Sequence, residues 1–322
     1  MGSQLKPRIE IVTPAPPGSL HGNRITAMRW QRILKGLGYQ SSITESWSGS
    51  PCDLLIALHA KRSHQAIKRY KKSYPTHPVI LAMTGTDIYR DLGKTPKVID
   101  SMQMADAIVI LQSKALESLP KRFHKKVTVI YQSISTVARK PPPKGYWLST
   151  LIGHLRPEKD PFCAPRSLDL VPTQSKLKLI HLGKAMSPLM GKHANVMMEH
   201  QSRYQWLGEL SHGKTLQWLA RSNVMVITSR MEGGAHVVSE AIAIGVPVIA
   251  SDIPGNRGLL GDDYPGYFPV GDIKALSELL YKAESNPKFH QKLNKALLAR
   301  KKLVQPELEK KSIQVLVESL LG

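Results

Sequence analysis

The stretch from Asn223 to Gly255, NVMVITSRMEGGAHVVSEAIAIGVPVIASDIPG, constrains the fold of this chain more than any other segment. NVMVITS (223–229) is an apolar run of strand length, VVSEAIAIG (237–245) reads as a small-residue helix closed by Gly245, and PVIASDI (247–253) reads as a second strand. Strand, glycine turn, helix, strand is a βαβ unit, and it requires a parallel sheet. The unit places Glu232 at a strand's carboxyl end, Gly233 and Gly234 just after it, and Glu240 about two helical turns further on. The glycines fall at a helix N-terminus, where amides without intrahelical partners and the helix dipole attract phosphate. Such an array lets one carboxylate meet a sugar, the amides a diphosphate and the other carboxylate a ribose. The spacing alone also fits a helix-start Glu followed by an exposed helical Glu.

The same alternation runs through the whole chain. In the first half, strands are expected at 7–15, 52–59, 78–85, 106–112 and 126–132, with a helix at 22–38 that carries Ile25, Met28, Ile33, Leu34 and Leu37 broadly on one side. RKPPPKG (139–145) breaks every pattern and reads as a stiff, extended connector. Strands then follow at 146–155, 177–183, 204–208, 223–229 and 247–253, with helices around 160–170, 190–201, 213–221, 236–245, 272–284, 287–302 and 306–321. The expectation is two similar doubly wound α/β domains facing across a cleft. The first spans 1–140, with the last helix (306–322) packing back on it, and the second spans 145–302. Ligands of such sheets bind outside the strand carboxyl ends.

With 322 residues, 42% of them hydrophobic, the chain is long enough for two domains, each with its own core. No apolar run reaches the roughly 18 residues of a membrane helix, and the N-terminus runs straight into a strand. Cys52 and Cys163 form no ligand pattern and read as reduced cysteines of a cytoplasmic protein. The formal charge of +21 is concentrated in KRSHQAIKRYKK (61–72), KRFHKK (121–126) and KALLARKK (295–302). These blocks suit anionic ligands or surfaces, or are simply solvated basic faces. None interleaves aromatics as a nucleic-acid stacking platform would, so no nucleic-acid partner is expected.

Two motifs mislead. GELSHGKT (208–215) matches a P-loop pattern, but its Glu-Leu-Ser-His interior is too bulky to wrap phosphate, and the next strand ends without a magnesium-binding Asp. The first strand is followed by TPAPPGSLHGN, without the glycine fingerprint of a dinucleotide site. The histidines show no metal-ligand spacing, so neither metal nor cofactor is expected.

EGGAHVVSE (232–240), GHLRPEKD (153–160) and the two-domain pattern closely resemble the retaining nucleotide-sugar glycosyltransferases of the glycosyltransferase-B fold, built from two Rossmann-like domains. The resemblance implies that Glu232 contacts the donor sugar and Glu240 holds the ribose, with Gly233, Gly234 and Ala235 at the phosphates. In the family a Gly-Arg…Lys segment supplies two cations to the diphosphate. Lys159 fits the Lys slot, whereas His154 stands in the Arg slot and Arg156 is expected to take over. Leu207, Gly208 and Leu210 fit the loop beside the nucleobase. His236 replaces the small or apolar residue usual in the turn; it could face a phosphate or the acceptor, or simply cap the helix.

In the first half, PAPPGSLHGNRITAMRW (14–30), LHAKRS (58–63) and LAMTGTDIYRDL (81–92) look like the selenosugar synthases of selenoneine biosynthesis, relatives that join a UDP-sugar to selenophosphate. That resemblance implies UDP-N-acetylglucosamine or UDP-glucose as donor. It also implies a metal-independent transfer to selenophosphate that yields a 1-seleno-sugar, UDP and phosphate. An acceptor that arrives anionic needs cations more than a base. The candidates are His21, Asn23 and Arg24 at the first helix, His59, Lys61 and Arg62 after the 52–59 strand, and Thr84, Gly85, Thr86 and Asp87 after the 78–85 strand. Lys61 and Arg62 equally fit a surface basic face, and Asp87 a helix cap. Two other readings stay open: a lipid or glycan acceptor at an anionic membrane surface without stable insertion, and a nucleic-acid-binding protein on a degenerate transferase scaffold.

Overall fold

The computed structural model describes residues 6–19, 22–134 and 137–322. The chain divides into two compact units, Met1–Ser133 with Pro306–Gly322, and Ile134–Gln305.

Unit 1 holds a six-stranded parallel sheet in the order β2-β1-β3-β4-β5-β6. Its strands are β1 (Arg8–Val12), β2 (Gln40–Thr44), β3 (Leu54–Leu58), β4 (Val79–Ala82), β5 (Ala107–Ile110) and β6 (Val127–Val129). The helices are α1 (Gly22–Gly36), α2 (His64–Ser73), α3 (Pro96–Met104) and the C-terminal helix (Pro306–Leu321). Period-two alternation sorts the apolar run of β3 onto two faces. Leu54, Ile56 and Leu58 pack with Trp30 and Leu34 of α1 and with Ile313 and Val317 of the C-terminal helix. Leu55 and Ala57 pack with Ile67 and Tyr70 of α2 and Val98 and Met102 of α3. A run that is apolar throughout is therefore what a strand covered on both sides requires.

Two features differ from expectation, and a third decides between alternatives. β2, QSSIT, is a strand with no apolar run, because as an edge strand it pairs only with β1 and is nowhere fully buried. On α1 the inward residues are Thr26, Ala27, Trp30 and Leu34, while Met28 is 49% exposed and Ile25, Ile33 and Leu37 are half-buried. The turn of that helix is set from far along the chain. Buried Glu309 accepts from Trp30 Nε1 (2.8 Å), Arg29 Nε (2.9 Å) and the Ser133 amide (2.9 Å). Finally, the basic block 61–72 is largely the amphipathic helix α2, with His64, Ala66, Ile67 and Tyr70 inward and Lys68, Arg69 and Lys72 in solvent.

Unit 2 repeats the plan with the order β12-β11-β10-β7-β8-β9, again all parallel. The strands are β7 (Trp147–Ile152), β8 (Leu177–Leu182), β9 (Tyr204–Trp206), β10 (Val224–Ile227), β11 (Val248–Ser251) and β12 (Tyr267–Phe268). The helices are α4 (Cys163–Ser167), α5 (Pro188–His200), α6 (His212–Ala220), α7 (His236–Ile244), α8 (Pro254–Leu260), α9 (Ile273–Ser285) and α10 (Pro287–Leu298). Two elements fall outside the sequence reading. α8 is short, and its PGNRGLL holds two glycines; β12 is two residues long. The proline connector is pinned to the end of α6, where Arg139 donates to the carbonyls of Ala220 and Ser222, both at 2.5 Å.

Strand order reverses beside β1 in unit 1 and beside β7 in unit 2. The switch points therefore lie between the exits of β1 and β3 and between those of β7 and β10, and sheets of this kind bind ligands at the carboxyl ends beside such a point.

Candidate active site

At the unit 2 switch point, the exit of β7 is aimed by a buried histidine. His181 donates its Nε2 proton to the Gly153 carbonyl (3.1 Å), and its Nδ1 accepts from the Tyr204 hydroxyl (2.9 Å). Burial lowers its pKa to about 4 against the pull of that carbonyl, so the ring is neutral at pH 7. Gly183, at the exit of β8, lies so close that a Cβ there would stand 2.0 Å from the Gly153 oxygen. Only glycine allows the two strand exits to cross in this way.

The chain then turns through a short 3₁₀ segment, Pro157–Lys159, into left-handed Asp160 (φ 43°). The loop after β10 grips it. The Thr228 hydroxyl lies 2.9 Å from the carbonyls of both Lys159 and Asp160, and the Arg230 amide donates to Glu158 (2.9 Å). The outcome is a close pair: Lys159 Nζ is 2.5 Å from Glu232 Oε1, which also accepts from the Ser229 hydroxyl at 2.6 Å. Glu232 Oε2 has no hydrogen-bond partner among the described residues. Beneath, a Cβ on Gly255 would stand 2.2 Å from the Glu232 carbonyl oxygen, so α8 abuts the backbone that carries the carboxylate. Ser251 donates to the Ser229 carbonyl (2.6 Å), and Asn256 donates to Ser251 (2.8 Å), which locks that backbone from below.

Glu240 lies inside α7 and is 4% exposed, which rules out the exposed helical Glu that the spacing alone allowed. Its Oε1 is 2.7 Å from His212 Nε2 and 3.6 Å from His236 Nε2. The contact with Glu240 raises the His212 pKa, against partial burial. The sequence reading missed His212, although the signal was present: it is the bulky interior residue of GELSHGKT that disqualifies the false P-loop. His236 points along its own helix to Glu240. Gly233 and Gly234 are half-buried between Glu232 and Ala235, which is buried at the N-cap of α7.

Arg156 is half-buried, and its Nε is buried without a hydrogen-bond partner among the described residues. His154, in the family's Arg slot, accepts the Lys184 amide on Nδ1 (3.1 Å). Leu207 and Leu210 pack against Leu148, Ile180 and Leu182, and Gly208 (φ 70°) accepts the Gly183 amide (2.8 Å). Unit 2 thus joins Lys159 to Glu232 and both histidines to Glu240.

In unit 1 the hub is Asp87, which is 0% exposed. Its carboxylate accepts the amides of Ala60 (2.9 Å), Lys61 (3.1 Å) and Thr84 (3.0 Å) and the Thr84 hydroxyl (2.8 Å), tying the exit of β3 to that of β4. Burial works to raise its pKa, but the adjacent His59 imidazole and the Thr84 and Lys61 amides override it and hold the carboxyl below its ordinary range. Its oxygens are turned inward, so it positions the loops. Lys61 pairs with Asp91 (3.1 Å), as does Arg90 (3.2 Å), while Arg62 is exposed. Asn23 and Arg24 are half-buried in the first turn of α1, and Arg24 Nε is buried without a hydrogen-bond partner among the described residues. Gly85 and Thr86 are half-buried, and His21 lies outside the described residues.

Cys52 and Cys163 are buried, and burial pushes their thiols up to about 11 and about 12, away from nucleophilic use. Among the described residues no group of three or more His, Cys, Asp or Glu side chains is arranged to hold a metal ion, and no helix is long and apolar enough to cross a membrane.

A family model described as glycosyl transferases group 1 matches residues 134–300, more than half of the chain. Among solved structures, sucrose-phosphate synthase (tll1590) from Thermosynechococcus elongatus is similar, with a TM-score of 0.83 at 14% identity over 98% of this chain and 99% of that one. Anabaena Alr3699/HepE, solved with UDP-glucose, has a TM-score of 0.74 at 14% identity over 97% and 100%. The lipopolysaccharide outer core galactosyltransferase WaaB, in its apo form, has a TM-score of 0.69 at 15% identity over 97% and 99%. At such low identity these likenesses show the fold: two Rossmann-like α/β domains of the glycosyltransferase-B class.

Proposed function

The chain belongs to glycosyl transferases group 1, and from that premise we propose that it moves a hexosyl group from UDP-N-acetylglucosamine or UDP-glucose to selenophosphate. The observation that carries the donor side is the Lys159–Glu232 pair at the unit 2 switch point, with Glu240 buried behind the glycine turn. In this reading Glu232 Oε2 receives a sugar hydroxyl, Glu240 receives the ribose, and Arg156, Lys159 and the amides of Gly233, Gly234 and Ala235 neutralise the diphosphate. Arg156 Nε, buried without a hydrogen-bond partner among the described residues, supports that role. Alr3699/HepE, solved with UDP-glucose, supports the choice of nucleotide.

The acceptor rests on the resemblance of the first half, supported by Arg24 at α1 and by Lys61 and Arg62 after β3. The bond from the anomeric carbon to the UDP oxygen breaks, and its electron pair leaves with UDP. A selenium lone pair forms the new carbon–selenium bond, and water takes the phosphoryl group as phosphate. Metal takes no part in this reading, so EDTA leaves the rate unchanged; a rate lost to EDTA and restored by magnesium contradicts that point. The test of transfer is to mix the protein with each UDP-sugar and selenophosphate and inspect products by mass spectrometry. A sugar bearing the selenium isotope pattern is expected, whereas UDP release with hydroxyl acceptors and none with selenophosphate overturns the acceptor.

A second reading keeps the donor and places the acceptor, a lipid or glycan hydroxyl, at an anionic membrane surface. The exposed face of α2, with Lys68, Arg69 and Lys72, favours it. Flotation with anionic liposomes at physiological salt separates the two, since a soluble-acceptor enzyme stays in the supernatant.

A further inference from the structure

His212 opens α6, and the loop that leads to it is fixed in place. The Leu207 amide donates to the His181 carbonyl (2.9 Å), the Gly183 amide donates to the Gly208 carbonyl (2.8 Å), and Leu210 packs against Leu148, Ile180 and Leu182. From that anchored start the imidazole reaches to α7, where Nε2 lies 2.7 Å from Glu240 Oε1. The imidazole is 59% exposed, whereas its partner carboxylate is buried.

An ionised carboxylate only accepts, so the proton between the two lies on Nε2, and Nδ1 of the neutral ring keeps its lone pair. Nδ1 makes no hydrogen bond among the described residues. Glu240 is likewise engaged on one side. Its Oε1 faces His212 and, at 3.6 Å, His236 Nε2, whereas Oε2 accepts no hydrogen bond among the described residues. A lysine in place of His212 would offset the Glu240 charge as well, but it would have no lone pair to offer. Imidazole has one, so Glu240 Oε2 and His212 Nδ1 are two acceptors on a single hydrogen-bonded pair.

A ribose presents two neighbouring hydroxyls, each of them a donor. We infer that the pair divides them, Glu240 Oε2 accepting from one and His212 Nδ1 from the other, so that His212 selects nucleotides with an intact ribose diol. The inference rests on the donor reading, in which Glu240 receives the ribose, and adds the second acceptor from within unit 2. His212 holds the ribose and takes no part in bond making or breaking. Only the neutral ring serves, since a second proton turns Nδ1 into a donor. Of the elements packed against α6, α7 brings the titratable Glu240 and His236, and β7 brings none. Glu209 and Lys214, the charges flanking His212 along the chain, are exposed.

The experiment is calorimetric titration of UDP, 2′-deoxy-UDP and 3′-deoxy-UDP into the full chain at mildly alkaline pH, where the ring is neutral. The wild type should bind both analogues more weakly than UDP. The penalty should be at least about tenfold for the hydroxyl on the Glu240 carboxylate and about two- to tenfold for the one on neutral His212. His212→Lys keeps a donor on Glu240 Oε1 but lacks an acceptor; it should erase the smaller penalty and keep the larger. His212→Gln, whose amide can donate to Glu240 and still accept through its oxygen, should restore the smaller penalty. Acid should erase that penalty in the wild type and leave it in His212→Gln. Both penalties intact in His212→Lys, or only one in the wild type, overturn the inference and leave the donor reading standing. A wild type that binds no UDP overturns the donor reading instead.

Discussion

The carboxylates of the two units are held in opposite ways. In unit 2, Glu232 and Glu240 face side chains that can move: Lys159 and Ser229 on one, His212 and His236 on the other. In unit 1, Asp87 is fully buried and held mainly by backbone amides. Side-chain partners can be exchanged for a ligand at modest cost, whereas amide partners fix a loop. Unit 2 therefore carries carboxylates suited to exchange, and unit 1 one suited to hold a shape. In the proposed reading the Lys159–Glu232 pair preloads a cation for the donor's diphosphate, while Asp87 ties the exit of β3 to that of β4.

The largest expected break in this contrast is Lys159→Ala. It removes a cation from the diphosphate and strips Glu232 of its charged partner, so kcat for UDP release should fall by about 10²–10³-fold with the fold retained. A loss below tenfold would remove Lys159 from the chemistry. Next is Gly255→Ala, whose new Cβ cannot coexist with the Glu232 carbonyl oxygen 2.2 Å away. The shift should cost about 1–3 kcal/mol in urea unfolding and lower kcat together with stability. Wild-type activity in that variant would mean that Glu232 needs no fixed backbone.

Acid should also separate the buried histidines from the Asp87 tie. His181 titrates near 4 when folded and near 6.5 when unfolded, so its contribution is complete above pH 6.5 and is lost as pH falls towards 4. The loss amounts to about 3 kcal/mol. Asp87 is depressed below its ordinary 3.8, so its contribution survives to that pH and is lost only as pH falls through the folded value. Hydrogen exchange should show β7 and β8 loosening between pH 6.5 and 4, and the start of α2, where burial lowers the pKa of His64, loosening as pH falls below 6.5, while the loop tie made by Asp87 yields only at lower pH. Simultaneous loosening would contradict the assignment. The smallest effect belongs to His212→Ala. Glu240 raises the His212 pKa, so their ion pair is present at low pH and lost as pH rises through that raised value. The exposed ring should alter UDP affinity only a few-fold, and its removal should flatten the pH dependence of binding.

What the sequence reveals here follows contact distance along the chain. Strand, glycine turn, Glu232, helix and Glu240 lie within one βαβ unit, so local pattern sufficed. The placement of Lys159 came from resemblance, and the structure accounts for it through the Thr228 and Arg230 contacts. The partnership of His212 with Glu240, the fit of Gly255 under Glu232, and Asp91 beside Lys61 depend on pairings 23 to 30 residues apart that no periodicity encodes. β2 escaped because an edge strand needs little apolar surface. The inward face of α1 escaped because Glu309 selects it from the far end of the chain. The left-handed turn at His59 is invisible in composition, since histidine there gives no glycine-like signal.

The central claim, that the paired glutamates hold a nucleotide-sugar, is tested most directly by calorimetric titration of UDP into the wild type and Glu240→Ala. Saturable binding to the wild type and binding at least about tenfold weaker in the variant are predicted, the loss of a buried charged acceptor for the ribose. Equal affinity in the two proteins, or no UDP binding by the wild type, would contradict it.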